Sequence, residues 1–415
     1  MVAYDVTDTF ILEFMALYKL KGIVQHYAWG GMRFIPDLLN KTNDKKQPYA
    51  ELWVGTHVKG PSKIVVEKRT QPLKKFIKKH PKRILGKKAV TQFGEQLPFL
   101  FKVLDVKKML SIQAHPTKKA AEIGFAEEEK LDIDRTAPNR TYRDANHKPE
   151  VMVALSTFWL LHGFKSITQI QEVLEIPEFQ PLKDYFVDNN VLSLYKAIME
   201  MPQSEVNRLL TPLDKRLQLL KDAGELERED VDYWAAKAFD EYTIDGQYDR
   251  GIFSIYLMNL VRLKRGEGIY QAAGIPHAYL EGINVELMAN SDNVFRGGLT
   301  QKHINVTELL KHLDFKPILP KILKGVPISA LEKVFKTPTP DFELSQIKLP
   351  KGNIYRPKNY PSVQIFIVIE GEGAVLGLNN QLLLKPGDIF LVEANTPCKI
   401  MPKNDVLIFK AKVPV

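Results

Sequence analysis

Short apolar runs separated by turn residues fill the chain from Tyr18 to Gly163. They lie at residues 21–25, 51–56, 62–66, 99–104 and 110–114. Such runs are typical of β-strands, because a strand crosses a sheet in about four to eight residues and then needs a turn. Their spacing therefore predicts an all-β barrel or sandwich for this part of the chain.

The period of the pattern changes at Ser166. Ser166 and Gln169 have the spacing of a capping box, in which two side chains satisfy free groups at the start of a helix. Apolar residues at helical spacing follow, and they predict a helical insertion. Helices are expected around residues 191–201, 205–223, 231–242 and 253–263.

Strand-like sequence returns after this insertion, at residues 268–279 and 282–288. The next segment, residues 317–340, is interrupted by prolines, and we expect a connector that is helical in part. Residues 362–412 alternate β-rich runs with turns, which predicts a second, small β domain. The fold class predicted from these patterns is mainly β with a helical insertion.

Length and composition bound the class of protein. A chain of 415 residues exceeds the usual size of one compact core, so two or three domains are expected. Cys398 is the only cysteine, which excludes a disulfide within the chain and favours a reducing compartment. The first ten residues lack the basic residues of a secretory signal, and no stretch is long enough for a membrane span. We therefore expect a cytoplasmic protein, whether translation starts at Met1 or at Met15.

The formal net charge of +9 comes largely from lysines and arginines in residues 71–88. Such a concentration of positive charge attracts nucleic acid or anionic metabolites. Leu73, Phe76 and Ile77 recur within it at helical spacing, so we interpret the cations as the solvated face of an amphipathic helix. No nucleic-acid partner is expected.

Four residues suited to metal binding occur in three motifs. Gln113 and His115 are separated by one residue, and such positions project from the same face of a strand. Glu150 opens an apolar stretch that predicts burial, and a buried carboxylate needs a cation, while a Gly-Ile-Pro turn delivers His277 to the next strand. This set suits zinc, although ordinary buried polar residues explain the types and spacing equally well. No histidine follows His312, so the C-terminal β domain is expected to bind no metal.

Seven stretches of the chain resemble the type I phosphomannose isomerases. They occur in the family's order between Tyr18 and Phe315, which is more specific than any single motif, and they include LSIQAHP, HKPE, GIPHAY and NVFRGGLT. Their positions are residues 20–30, 49–57, 97–105, 110–116, 147–150, 274–279 and 293–300. The resemblance implies cupin-type β-barrels in three parts. These are a catalytic metal-binding domain of residues 16–164 and 252–316, a helical insertion of residues 165–251, and a C-terminal cupin-like β domain without metal, residues 317–415.

The same resemblance implies an activity and its residues. The implied enzyme interconverts mannose 6-phosphate and fructose 6-phosphate through an enediol and feeds mannose metabolism and GDP-mannose supply. The implied ligands of one zinc ion are Gln113, His115, Glu150 and His277. Arg296 resembles the family's active-site arginine. The positions similar to those lining the family's sugar phosphate pocket are Ser111, Lys102, Lys148, Tyr279, Glu286, Asp292 and Lys302.

The chemistry of this isomerisation suggests roles for some of these residues. Zinc can act as the Lewis acid, and Arg296 is suited to stabilise negative charge because its guanidinium stays protonated. Glu286, Lys148 and a metal-bound water all qualify as the base by type, and the sequence does not rank them. His147 is expected to pair with Asp292 and to open the sugar ring.

Two alternative functions stay open. A cupin oxygenase would use iron at a similar site, although Arg296, Lys102 and Lys148 favour an anionic phosphate substrate. A non-catalytic sugar- or nucleic-acid-binding protein would use the basic face instead. At the level of single residues, Lys102 and Lys302 could equally face solvent, and His57 is interpreted as a structural or surface histidine.

Overall fold

The computed structural model describes residues 16–357 and 360–415, so the expectations about the first ten residues and about a start at Met15 lie outside the described ranges. The strands are β1 (Leu17–Lys21), β2 (Ile23–Gln25), β3 (Glu51–Val54), β4 (Lys63–Val66), β5 (Arg69–Pro72), β6 (Phe99–Val106), β7 (Gln113–Ala114), β8 (Glu150–Ala154), β9 (Phe158–Phe164), β10 (Met258–Leu263), β11 (Gly268–Gln271), β12 (His277–Ala289), β13 (Phe295–Arg296), β14 (Val326–Pro327), β15 (Glu332–Phe335), β16 (Glu343–Leu349), β17 (Gln364–Glu370), β18 (Gly373–Leu376), β19 (Gln381–Leu384), β20 (Ile389–Val392), β21 (Lys399–Pro402) and β22 (Val406–Lys412). The helices are α1 (Phe34–Leu38), α2 (Leu73–Lys79), α3 (Pro81–Leu85), α4 (Lys87–Phe93), α5 (Lys118–Lys130), α6 (Ile167–Leu174), α7 (Val191–Glu200), α8 (Gln203–Asp222), α9 (Val231–Tyr242), α10 (Gly251–Leu257) and α11 (Val306–His312), with 3₁₀ segments at Pro177–Tyr185 and Val187–Asn189.

Antiparallel pairing joins most strands of the described residues into two large sheets. The first contains β10, β9, β12, β6, β3 and β2 in this order, with β7, β8, β11 and β13 attached alongside. The second runs in the order β14, β15, β16, β22, β17, β20, β1, β4 and β5, and β19, β18 and β21 form a small third sheet. Strand β12 organises the first sheet, because its 13 residues pair with β6, β7, β8 and β9.

Strand β6 is buried on both faces. Phe101 and Val103 belong to a core that also contains Ile367 and Phe409 of the second sheet. Leu104, on the opposite face, packs in a separate cluster inside the first sheet. Because both faces are covered, this strand is almost continuously apolar in sequence.

The second sheet combines strands from both ends of the chain. β1 pairs with β20 in a register that sets Leu20 opposite Ile389, and on its other side with β4, where Leu20 faces Ile64. Strands β1, β4 and β5 therefore extend a sheet whose other members all follow residue 325. The boundaries at residues 164, 251 and 316 stay predictions, and these hydrogen bonds tie the first and third predicted domains together.

The predicted helical insertion is confirmed. The side chain of Ser166 accepts the backbone N–H of Gln169, and the side chain of Gln169 bonds back to the N–H of Ser166, so the capping box is complete. Helices α7, α8 and α9 lie where the periodicity placed them. Their Leu213 and Trp234 share one core with Phe164 of β9, which anchors the insertion on the first sheet.

Two local predictions are wrong. The helix expected at residues 253–263 ends with α10, and β10 follows because Leu260 and Val261 pair with Leu161 and Leu160 of β9. An apolar run of this length is ambiguous by itself, and tertiary pairing decides it. The connector at residues 317–340 contains β14 and β15, and none of its residues is helical. Its prolines remove N–H donors that a helix needs.

The basic stretch at residues 71–88 forms α2, α3 and the start of α4. Helix α2 buries Leu73, Phe76 and Ile77 and exposes its lysines, which confirms the amphipathic interpretation, although the stretch folds as separate short helices and not as one. Among the helices of the described residues, none combines the length and the apolar character that a membrane crossing requires.

The core between the two large sheets is expected to contribute strongly to stability. Leu287 of β12 is fully buried in it, so Leu287→Ala should lower the free energy of unfolding by about 2–5 kcal/mol. Leu219 of α8 is 72 % exposed, and Leu219→Ala, the matched control, should change this free energy by less than about 0.5 kcal/mol. Urea denaturation measures both values, and similar losses in the two variants would contradict the described packing.

Candidate metal centre and active site

Three of the predicted ligands meet at one buried point. His115 follows β7, Glu150 begins β8 and His277 begins β12, which pairs with both of the other strands. Oε1 of Glu150 lies 3.6 Å from Nε2 of His115, and Oε2 lies 3.5 Å from Nε2 of His277. The ligand atoms of the three residues all lie within 4.8 Å of one another. Strand pairing thus assembles side chains that are far apart in the chain.

Each imidazole ring is held through its other nitrogen. Nδ1 of His115 lies 2.8 Å from the backbone oxygen of Asn293, and Nδ1 of His277 lies 2.9 Å from that of Ile275. A carbonyl oxygen only accepts, so each Nδ1 carries the proton and each Nε2 presents a lone pair. Both Nε2 atoms are buried without a hydrogen-bond partner among the described residues. Buried acceptors left free in this way fit a divalent metal ion.

The charge states of these side chains also suit a metal ion. Burial and the ammonium of Lys148 lower the pKa of His115 to about 4, so this ring is neutral near neutral pH. Burial alone would raise the pKa of Glu150, but Lys148 at 3.1 Å and His115 outweigh it and hold this pKa well below its usual range. Neutral imidazole and ionised carboxylate are the forms that bind metal.

Gln113 lies at the edge of this group. It stands in register opposite His277 of β12 and opposite Arg296 of β13. Its half-buried side chain lines a cavity together with Ser111 and Arg296. This register brings Gln113 next to the ligand set, and its assignment as the fourth ligand stays a prediction.

Sequence reasoning missed the supporting role of Asn293. Besides accepting from His115 through its backbone, it donates from Nδ2 to the backbone oxygens of Asp144 and Asn146, at 2.7 and 2.8 Å. Asn293 therefore ties the loop before β8 to the end of β7. Its place in the NVFRGGLT stretch was the signal available in the sequence.

A second group of buried charges lies further along β12. Lys102 of β6 stands opposite Glu286 in the strand register, and its Nζ lies 3.1 Å from Oε1 of Glu286 and 3.4 Å from Oε2 of Glu51. The hydroxyl of Tyr279 donates to Oε2 of Glu286 at 2.7 Å. Burial disfavours the charge on Lys102, but the carboxylates of Glu51 and Glu286 outweigh it and raise its pKa. The structure thus joins three predicted residues in one network and adds Glu51, which sequence reasoning missed.

The cavity beside the metal ligands is rich in cations. Its volume is about 600 Å³, and a neighbouring cavity of about 530 Å³ shares part of its lining. The charged residues that line the larger of the two cavities include Lys59, Arg143, Lys148, Asp292, Arg296 and Lys302. Burial and the nearby Arg143 lower the pKa of Arg296, and burial and Arg296 lower the pKa of Lys302. An anion relieves such mutual repulsion, so the cavity suits a phosphate group.

The expected pairing of His147 with Asp292 is wrong. Nε2 of His147 lies 2.9 Å from Oδ2 of Asp341, which reaches it from the C-terminal part of the chain. Asp292 instead contacts Nε2 of His57 at 3.5 Å and Nζ of Lys59 at 3.0 Å. The partner of His147 lies 194 positions away, and no local pattern indicates a contact of that kind.

This chain is mainly β and places two buried imidazoles and a carboxylate beside a cationic cavity. These are the features of a metal-dependent protein that handles a phosphorylated ligand. A family model of the type I phosphomannose isomerase catalytic domain matches residues 17–167. The mannose-6-phosphate isomerase of Salmonella typhimurium is 35% identical over 388 residues, which cover 91% of this chain and 95% of that protein. The mannose-6-phosphate isomerase of Homo sapiens is 34% identical over 434 residues, with 95% and 98% covered.

Solved structures give the same result. The mannose 6-phosphate isomerase of Salmonella typhimurium bound to its substrate fructose 6-phosphate and zinc has a TM-score of 0.86 at 32% identity, covering 97% of this chain and 100% of that chain. A zinc-bound mannose 6-phosphate isomerase has a TM-score of 0.87 at 33% identity with the same coverage. The chain therefore belongs to the type I phosphomannose isomerase family, and the predicted cupin-type fold class is confirmed.

We expect one zinc ion per chain in the purified protein. His277→Ala removes one of two imidazoles and should lose most of the bound zinc in elemental analysis, whereas His57→Ala should keep it. Cys398→Ser should also keep one ion, because this cysteine is buried in the C-terminal core, and burial raises its pKa to about 12. Two ions per chain, with one lost in Cys398→Ser, would contradict a single site.

Proposed function

We propose that this chain is a zinc-dependent mannose-6-phosphate isomerase that interconverts mannose 6-phosphate and fructose 6-phosphate. The observation that carries the proposal is the pair of unpartnered Nε2 atoms that face Glu150 beside a cationic cavity. Relatives from Salmonella typhimurium, Arabidopsis thaliana and Homo sapiens carry this name, and a solved relative binds fructose 6-phosphate and zinc. The oxygenase and the non-catalytic binding protein gain no comparable support.

Four residues would hold the zinc ion, namely His115, Glu150, His277 and Gln113. Bound there, zinc supplies a Lewis acid for the oxygens on the reacting carbons. The backbone oxygens of Asn293 and Ile275 fix the two rings before any ligand arrives. This preorganisation supports a tight and well-defined ion position.

The cations of the cavity would bind and stabilise the anionic substrate. Arg296 stands opposite Gln113 in the strand register, next to the proposed metal, and is suited to neutralise the enediolate. Lys302 is exposed at the cavity and is suited to the dianionic phosphate. Ser111 lines the adjoining cavity and offers a hydroxyl to the sugar.

Of the two side chains that qualify as the base, Lys148 is the better placed. It lines the cavity, whereas Glu286 is buried with one oxygen bonded to Lys102 and the other to Tyr279. We therefore assign proton transfer between C1 and C2 to Lys148, which would act as the neutral amine that remains after its ammonium has given a proton to water. The hydrogen bonds of the buried Glu286 network would keep the interior behind the metal rigid.

We propose that the protein binds a small sugar phosphate and does not bind nucleic acid. The lysines of α2 are accounted for as the solvated side of a helix whose apolar residues are buried. We also propose a cytoplasmic location, because a chain with a single cysteine suits a reducing compartment. There the enzyme would supply mannose phosphates for GDP-mannose.

Removal of the metal tests the proposed function. A chelator should abolish conversion of mannose 6-phosphate in a coupled assay, and added zinc should restore it. Full activity in protein shown by elemental analysis to be metal-free would refute the zinc requirement. No conversion by the zinc-loaded protein would refute the isomerase itself.

Arg296→Lys should retain zinc and lower kcat by about 100-fold, because a point charge cannot reproduce a planar fork of donors. Zinc content and kinetics need to be measured on the same preparation. Arg69, exposed on β5, provides the control, and Arg69→Lys should leave both values unchanged. Near-normal turnover of Arg296→Lys would show that Arg296 is a structural residue.

A further inference from the structure

The ring of His57, a histidine with no role implied by its sequence context, lies behind a carboxylate of the active-site cavity. Nε2 of His57 lies 3.5 Å from Oδ1 of Asp292, and Nζ of Lys59 lies 3.0 Å from Oδ2. The side chain of His57 is 7% exposed and that of Asp292 is 26% exposed. Asp292 lines the same cavity as Lys148 and Arg296. His57 therefore reaches that cavity through Asp292.

The hydrogen bonds of the ring define its tautomer. Nδ1 of His57 accepts the backbone N–H of Lys59 at 3.3 Å, so the ring proton of the neutral form sits on Nε2 and faces Asp292. Trp53 packs edge to face against the ring, with centroids 5.0 Å apart, and limits its rotation. The distance of 3.5 Å is long for a hydrogen bond, as contacts of catalytic groups often are before substrate binds.

The charge states make this pair a neutral donor and an ionised acceptor. Burial lowers the pKa of His57, against the opposing effect of Asp292. Burial alone would raise the pKa of Asp292, but His57 and Lys59 outweigh it and keep this pKa below its usual value. Asp292 is therefore an ionised carboxylate that contacts His57 through Oδ1 and Lys59 through Oδ2 and also lines the active-site cavity.

The backbone fixes the same carboxylate relative to the metal centre. The N–H of Asp292 donates to Oδ2 of Asp144 at 2.7 Å. The backbone oxygen of the next residue, Asn293, accepts from Nδ1 of His115. The next residue, Asn293, therefore links Asp292 to His115, a proposed zinc ligand, through one hydrogen bond. An acceptor group that is oriented by a second side chain and held close to the reaction centre is the arrangement of a positioned general base.

We infer that His57 positions Asp292 for opening of the sugar ring, in the place expected for His147. This inference rests on the proposed isomerase function. Asp292 accepts the proton of the anomeric O1–H, the C1–O1 double bond forms, and the C1–O5 bond breaks with its electron pair moving to O5. O5 then takes a proton from water, and Asp292 returns its own proton to the hydroxide. His57 touches no substrate and acts by holding Oδ1, whose second lone pair stays free.

The test separates ring opening from isomerisation. The probe is 2-deoxyglucose 6-phosphate, which opens its ring but lacks the 2-hydroxyl that an enediol requires, and exchange between its anomers is followed by NMR. Zinc-loaded His57→Leu should lose at least about ten-fold in anomer exchange and in the kcat for mannose 6-phosphate, while it keeps one zinc ion. His57→Gln, whose amide N–H can take the place of Nε2–H, should recover most of both activities. His80→Leu, at an exposed histidine, should match the wild type.

A double variant decides whether the two residues act together. Because His57 acts through Asp292, His57→Leu combined with Asp292→Asn should be no slower than Asp292→Asn alone. Additive losses in the double variant would overturn the inference. Anomer exchange in His57→Leu within about two-fold of the wild type would also overturn it. The same holds if the wild type shows no anomer exchange above the spontaneous rate. If His57→Leu does not fold, His57→Gln and His57→Asn replace it, and equal activity of these two would overturn the inference because the shorter amide cannot reach Asp292. Failure of the wild type to convert mannose 6-phosphate would instead refute the proposed function.

Discussion

The burial of the Glu150 carboxylate is the constraint on which the catalytic part of this structure depends. An ionised group taken out of water costs several kcal/mol unless opposite charge and hydrogen-bond donors surround it. Here Lys148 lies at 3.1 Å and two imidazole nitrogens face the carboxylate in a geometry that fits a metal ion. The same demand recurs at Glu286, whose charge is matched by Lys102 at 3.1 Å. Paired charges are therefore buried in an interior that is largely apolar.

Strand pairing determines these distances. β12 carries both His277 and Glu286 and is hydrogen-bonded to the strands that carry Lys102 and Glu150, so the register sets which side chains meet. Sites held by strands are more accurately placed than sites held by loops. The irregular segments on either side of the site are locked to each other by the side chain of Asn293, so they share the rigidity of the sheet.

The helical insertion and the second sheet cover surfaces that the first sheet could not leave exposed. Trp234 of α9 packs against Trp159 of β9, with ring centroids 5.7 Å apart. On the other side, the second sheet shares a core with β6, β8 and β12. The C-terminal part also reaches the active-site loop directly, because Asp341 bonds to His147. A part of the chain that is expected to bind no metal thus helps to position a loop of the metal-binding part.

The sequence by itself determined the types of most elements, the capping box at Ser166 and the mainly β class, because these follow from local spacing and residue type. The ligand candidates needed the resemblance to the family as well. Only the tertiary structure decided that residues 258–263 form a strand, that β1 joins the C-terminal sheet, and that Asn293 and Glu51 belong to the site. It also decided that His147 pairs with Asp341 and that Asp292 pairs with His57. The physical reason is the same in each case. Such pairings join residues far apart in the chain, and they depend on strand register and packing, which no local pattern encodes.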